Sequence, residues 1–289
     1  MSPTPSAKLG SDRAEMEHIQ PAMSIPLSPE LFQQLYLQPQ NQVKGDLRKT
    51  FGNPTPIALA GFLLCTTPAS MSLLGWQGAG GFAAAANVGV YFGIGGLLLI
   101  AGGIGEWILG KQNPSTIDNL TDVSPGNTFP STIFFTFGGF WLAFGTTIVP
   151  GSGAYSTYST TGTAADGLSE PAFYATFSFF LVAMAILCSV YSIASIRTNI
   201  ALFTILVLLI PCFGCLSASF FALAQGSAGL ALKYQHVGAG LLLAVTFIGW
   251  YMLTSMLLLS VDFPVILPLG DLSTIIRGRS ETKPISKGV

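Results

Sequence analysis

The chain has 289 residues, half of them hydrophobic and only 9% charged, with a formal net charge of −1. A soluble domain carries about 25% charged residues, so this composition cannot clothe a water-facing surface and implies a membrane protein. A near-neutral balance also offers no basic surface for nucleic acid.

The first segment, residues 1–50, is Ser-, Pro- and Gln-bearing with mixed charge. It has no apolar core ahead of a small-residue cleavage site, so it reads as a cytoplasmic tail with a short amphipathic piece near 29–37, not as a secretory signal. The transmembrane domain follows over 51–273, and 274–289 form a second cytoplasmic tail.

Within the domain, six stretches are each long enough to cross a bilayer as helix: about 56–76, 85–109, 131–151, 171–192, 199–225 and 236–261. Barrel strands would alternate over about 10 residues, which these do not, so the fold class is an all-α polytopic bundle of six transmembrane helices. Eleven of the twelve Lys and Arg fall on one side of this topology, and only Lys233 falls on the other. Cationic loops stay cytoplasmic, so both termini are placed in the cytoplasm. The sequon at Asn119 then lies inside, and 152–167 is a polar connector outside.

Residues Asn53-Pro54-Thr55-Pro56 open the first span. Asn caps a helix and Pro suits its first turn, which accounts for the residue types as a helix start. The same start presents spare N–H groups and partial positive charge, and the span interiors contain no Lys or Arg. A helix terminus is therefore one of the few groups here able to meet an anion, with Asn53, Pro54, Pro56, Leu59 and Thr66 as candidates for the path.

Glu106 is the one ionisable residue inside these spans and is a candidate gate or proton-linked group. Its place within a turn of the cytoplasmic end, near Lys111, equally suits a solvated or paired carboxylate. Lys233 and His236 flank the outer end of span six. Thr66, Thr67, Ser70 and Ser72 either line a path along span one or bond to their own backbone. Gly89, Gly93, Gly96 and Gly103 imply close helix contact, within a protomer or between protomers. Cys212 and Cys215 have metal-like spacing, yet no His or further Cys lies near, so Cys65, Cys188, Cys212 and Cys215 are read as small hydrophobes.

The heptad Asn53-Pro54-Thr55-Pro56-Ile57-Ala58-Leu59 resembles the NPAPLGL signature of the acetate uptake transporter family, which includes bacterial succinate-acetate permeases and fungal acetate/ammonium-linked proteins. Four further segments match in the same order. They are Tyr91-Phe92-Gly93, Glu106-Trp107, Gly126-Asn127-Thr128-Phe129 with Phe137-Gly138-Gly139-Phe140-Trp141-Leu142, and the ending Phe263-Pro264-Val265-Ile266-Leu267-Pro268-Leu269-Gly270-Asp271. Residues 111–125 are an addition relative to the shorter bacterial members.

The resemblance implies odd-numbered helices around a pore pinched at Phe62, Phe137 and Leu206, with Leu206 anchored only through Arg197 and softer by a turn. It also implies a hexamer with one pore per protomer, and it makes Asn127 a motif residue that is a candidate for gating. Phe137 stands where the family has Tyr, so the pinch here is wholly apolar. Six spans with aromatic and glycine features in both halves suggest a three-plus-three arrangement.

The expected function is transport of acetate and other small monocarboxylates across the plasma membrane, coupled to a proton, with no cofactor. The partners are the acid, the proton, the bilayer and further copies of the chain. A channel for neutral ammonia, urea or acetic acid is the first alternative, and a membrane sensor that keeps the scaffold is the second. With His18 in the tail and His236 at an interface, no catalytic set of Ser, His and Asp can form, and an enzyme is not expected.

Overall fold

The computed structural model describes residues 52–80, 82–110 and 128–272. Both tails, the inserted segment with Asn119, and Asn127 therefore lie outside the described residues. Six helices are long and apolar enough to cross a membrane. They are α1 (Thr55–Leu73), α2 (Val88–Val90, a π segment Tyr91–Gly96 and Leu97–Gly110, end to end), α3 (Thr128–Ile148), α4 (Pro171–Ser195), α5 (Ile200–Ala224) and α6 (Ala228–Ser260).

The starts follow local chemistry. Pro54 and Pro56 head α1, and Pro171 sits in the first turn of α4, where a missing N–H leaves no bond unmade. Asn199 caps α5 by accepting the Leu202 N–H at 2.8 Å. Span six departs most from its expected bounds: the helix begins at Ala228, so Lys233 and His236 are exposed helical residues and do not flank its end. Its 33 residues make a rod of about 50 Å against a hydrocarbon core of about 30 Å, so the polar first turns need not enter lipid.

The helices form a ring in chain order. α1 packs on α2 and α2 on α3, α5 lies between α4 and α6, and α6 returns to α1. Ring contacts of Phe140 with Phe180 and of Phe144 with Phe177 close α3 onto α4, together with a 3.0 Å hydroxyl bond between Thr136 and Tyr191. In this sense the chain folds as two triplets.

Small residues set the α1–α2 seam. A Cβ on Gly102 would lie 2.5 Å from the Cβ of Ala58, and one on Gly105 would lie 2.6 Å from Pro54. Gly96 and Gly103 likewise face α3, whereas Gly89 and Gly93 meet nothing within 4 Å. The glycine pattern of α2 thus divides into a packed set and an open set. The α4–α5 seam is instead polar. Ser178 and Ser217 each donate to the other's carbonyl, at 3.2 and 3.1 Å.

The end where α1, α3 and α5 begin is called the near end below, and the opposite one the far end.

Candidate functional site

The ring encloses a cavity of about 360 Å³, at the small end of the range for small-molecule sites of roughly 300–1,000 Å³. α1, α3 and α5 supply most of its wall, and among the described residues no Asp, Glu, Lys, Arg or His belongs to it. Toward the near end it is bounded by Phe62 and Phe137, whose rings meet edge-to-face at 5.8 Å. Thr66 and Trp141 stand one helical turn beyond them on the same walls.

On α5 the leucines in the wall are Leu209, Leu216 and Leu223, of which Leu209 lies nearest the near end. Leu206, one turn earlier, is 1% exposed and packs in the core. The other expected path residues divide by role. Leu59 is buried in the same core, while Asn53 is exposed and its Oδ1 accepts the Thr55 N–H at 3.0 Å. Pro54 is buried against Gly105 of α2, and Pro56 is half-buried.

The far end of the cavity is closed by aromatic side chains. Phe82, in a 3-10 segment ahead of α2, lies 5.8–6.3 Å from the rings of Tyr155, Phe173, Tyr174 and Phe220. Two residues after it, Ala83 and Ala84, have φ of 52° and 54°, a left-handed conformation that costs an L-residue about 1–2 kcal/mol each. The connector 152–167, read from sequence as a flexible polar stretch, folds into a compact cap. Tyr155 is buried and donates to the Ile148 carbonyl, and one Asp166 oxygen accepts bonds from Ser159, Thr160 and Thr161. The Ser159 hydroxyl first, then the Thr161 N–H, holds the Asp166 carboxyl below its ordinary pKa.

The near end is built of polar links between chain segments. Glu106, at the end of α2, is 2% exposed and accepts a hydrogen bond from the Thr55 hydroxyl in the first turn of α1. Of the two structural alternatives for Glu106, solvated or paired, the described residues show a bonded one: tight packing of α1 on α2 through Gly102 and Gly105 brings Glu106 under the start of α1 and out of water. An acid at a helix N-terminus is well placed with respect to the helix dipole. The carboxyl group that stands beside this helix start is the chain's own Glu106.

Seven residues separate Thr55 from Phe62, so this pair lies about 10 Å from the pinch along α1. The segment 263–272 straps the same end. Ile200 N–H donates to the Gly270 carbonyl at 2.8 Å, Leu272 N–H to Thr198 at 2.9 Å, and the Ser255 hydroxyl to Leu267 at 2.8 Å.

Most polar side chains of the cavity wall have their donors engaged. Thr66 donates to the Phe62 carbonyl at 3.0 Å, Cys212 to Gly238 at 3.3 Å, Ser219 to Ala231 at 2.8 Å and Tyr174 to Leu168 at 2.5 Å. Gln235 donates to Leu73 at 2.9 Å. Two wall residues differ. The Tyr91 hydroxyl and the Trp141 indole N–H are buried without a hydrogen-bond partner among the described residues. Each such orphan costs about 1–3 kcal/mol.

Sequence reasoning missed Leu209, Gln235 and the Phe82 cluster. Tyr91 and Trp141 were present only as motif letters. Leu209 could have been found from helical spacing, since it and Cys212, Phe213 and Leu216 share one face of α5. Phe82 carried no signal, because its partners come from three other segments.

The described geometry agrees with what the chain is similar to. "Protein alcS" of Aspergillus fumigatus is 39% identical over 254 residues, covering 86% of this chain and 86% of that protein. "Ammonia transport outward protein 2" of Saccharomyces cerevisiae is 29% identical over 201 residues, covering 70% of this chain and 60% of that protein. The solved structure of the bacterial acetate channel SatP superposes with a TM-score of 0.51 at 18% identity, over 76% of this chain and 99% of that one, and so shares the fold. The model of the GPR1/FUN34/yaaH family matches residues 35–273. A six-helix ring around an uncharged cavity, with the motif segments at its two ends and its pinch, belongs to a member of the GPR1/FUN34/yaaH family.

Proposed function

We propose that the protein carries acetate and similar small monocarboxylic acids across the plasma membrane, together with a proton. The relatives' names point to two small cargoes, acetate and ammonia. The observation that favours an acid is the apolar character of the cavity. Its wall has no charged side chain among the described residues and is mostly aromatic and aliphatic. A small solute with a methyl end suits that wall better than ammonia does.

Proton coupling follows from the pinch. An unpaired carboxylate is very costly to bury between Phe62 and Phe137, whereas the protonated acid loses far less. An apolar constriction also excludes water and ions by dewetting. The charge bias of the loops supports a near end in the cytoplasm. The open glycine face of α2 suits an assembly of several copies, six by resemblance to the family.

Uptake of labelled acetate into vesicles holding the purified protein tests the reading. Concentration above the outside level that collapses with a protonophore supports coupled acid transport, and simple equilibration supports a channel. Flux of ammonia without flux of acetate would favour the ammonia reading. Movement of neither would favour a sensor built on this scaffold.

A further inference from the structure

We infer that the side-chain amide of Gln235 recognises the protonated carboxylic acid at the far end of the cavity, pairing with it through one N–H and one oxygen. The inference rests on the acid-transport reading above and names the residue that selects the neutral form of the acid.

Most polar side chains of the wall are out of a solute's reach. Thr66, Tyr91, Trp141, Cys212 and Ser219 are each at most 4% exposed. Gln235 and Tyr174 are half-buried, and the Tyr174 hydroxyl already donates to the Leu168 carbonyl at 2.5 Å. Gln235 is thus an accessible amide in a wall that is otherwise mostly aromatic and aliphatic, the setting in which a few polar groups orient a ligand.

Its own bonding leaves part of the amide unused. Nε2 donates at 2.9 Å to the carbonyl of Leu73, one of the last carbonyls of α1, which have no partner within their own helix. A carbonyl accepts only from the N–H side, so this bond fixes which way the amide faces. Closing the end of α1 takes one N–H of the two that an amide carries. Oε1 has no hydrogen-bond partner among the described residues, and unlike the Tyr91 hydroxyl and the Trp141 N–H it is not among the buried orphans.

Placement agrees with this spare capacity. Gln235 on α6 and Leu73 at the end of α1 both belong to the cavity wall, so the bond between them lies at the cavity's edge. Eleven residues separate Leu73 from Phe62, which puts the amide about 16 Å from the pinch along α1.

A protonated carboxyl group carries one O–H and one carbonyl oxygen on the same edge, and an amide offers the complement of both. The two close a ring of two hydrogen bonds, using the N–H that Leu73 does not take. A carboxylate brings two acceptors instead: one meets the N–H, and the other faces the lone pairs of Oε1. The pair therefore favours the neutral acid without a charged residue in the wall, and it does so at the opposite end of the cavity from the apolar pinch, where an unpaired carboxylate is costly.

Competition in vesicles holding the purified protein tests the pairing. Acetamide carries a donor and an acceptor on one edge as the protonated acid does, whereas methyl acetate keeps the carbonyl and the methyl end but has no donor. In the wild type, acetamide should inhibit uptake of labelled acetate about three- to tenfold more strongly than methyl acetate. Gln235→Met keeps the length of the side chain and removes the amide; it should raise the KM for acetate by a similar factor and erase the difference between the two inhibitors. A tie from α6 to α1 with no part in recognition would lower the melting temperature of Gln235→Met and leave the ratio of the inhibitors as in the wild type, and that result overturns the pairing. So does equal inhibition in the wild type, a measurement that needs no variant to fold. If the wild type moves no acetate, the transport reading fails first and the pairing falls with it. A wild type that moves acetate but does not prefer acetamide overturns the pairing alone.

Discussion

The two ends of the helix ring are held by different physics. At the near end, directional bonds join separate segments: Thr55 to Glu106, Ile200 to Gly270 and Leu272 to Thr198. At the far end, Phe82 is held by four neighbouring rings and its segment carries two left-handed alanines. Hydrogen bonds to a buried acid fix one geometry and are lost abruptly. Edge-to-face and tilted ring contacts, worth about 0.5–1.5 kcal/mol per pair, tolerate sliding. Directional bonds thus hold one end and ring contacts the other, and Phe62 and Phe137 lie between them.

The contrast can be broken most severely at Glu106. Glu106→Ala removes a buried acceptor and leaves the Thr55 hydroxyl without it; a loss of about 1–3 kcal/mol is expected from the buried hydrogen bond, read as a fall of several degrees in the melting temperature and at least a tenfold loss of acetate uptake. Thr55→Ala should reproduce a smaller share of both. A variant of Glu106 that melts and transports like the wild type would dissolve the distinction between the ends.

The pinch itself comes next. Leu206→Ala should destabilise by about 2–5 kcal/mol as a core cavity, without admitting larger acids. Leu209→Ala should widen the path and let propionate or lactate compete with acetate, measured as inhibition of acetate uptake. The reverse pattern would place the third constriction residue at Leu206 after all. Phe137→Tyr restores the hydroxyl of the family motif and should change acetate KM by less than about tenfold.

At the far end, Ala84→Gly relieves a left-handed alanine and should stabilise the protein by about 1 kcal/mol, seen as a small rise in melting temperature. Slower acetate entry in the same variant would show that the strain serves opening. The smallest effect concerns the cap. Because Asp166 has a lowered pKa, its contribution is full above the ordinary Asp value of about 3.9 and is lost as pH falls through the folded value. Hydrogen exchange across 159–167 should therefore be steady from neutral to mildly acid pH and faster in strong acid, and Asp166→Ala should abolish that step.

How much was legible in the sequence differs along the chain. Apolar runs of about 20 residues dictate helices wherever water is absent, so five spans match their expected positions to within a few residues. The sixth started early because Lys233 and His236 look like loop residues, yet a long helix can carry them on its exposed face. Phe62 and Phe137, whose register motifs anchor, lie in the cavity wall, whereas Leu206, anchored only by a loop arginine, lies in the core one turn from Leu209.

By itself the sequence determined the solvent, the number of spans and the family, since these depend on composition, run length and motif order. Only the tertiary structure decided what the motif residues do to one another. Glu106 meets Thr55 because glycines let α1 and α2 approach, and the ending around Gly270 straps α5. Tyr91 and Trp141 stand apart only because the other polar side chains of the wall are hydrogen-bonded while their own polar atoms are buried without a partner among the described residues. Satisfaction of hydrogen bonds is a property of neighbours in space, and a linear chain does not specify those until it is packed.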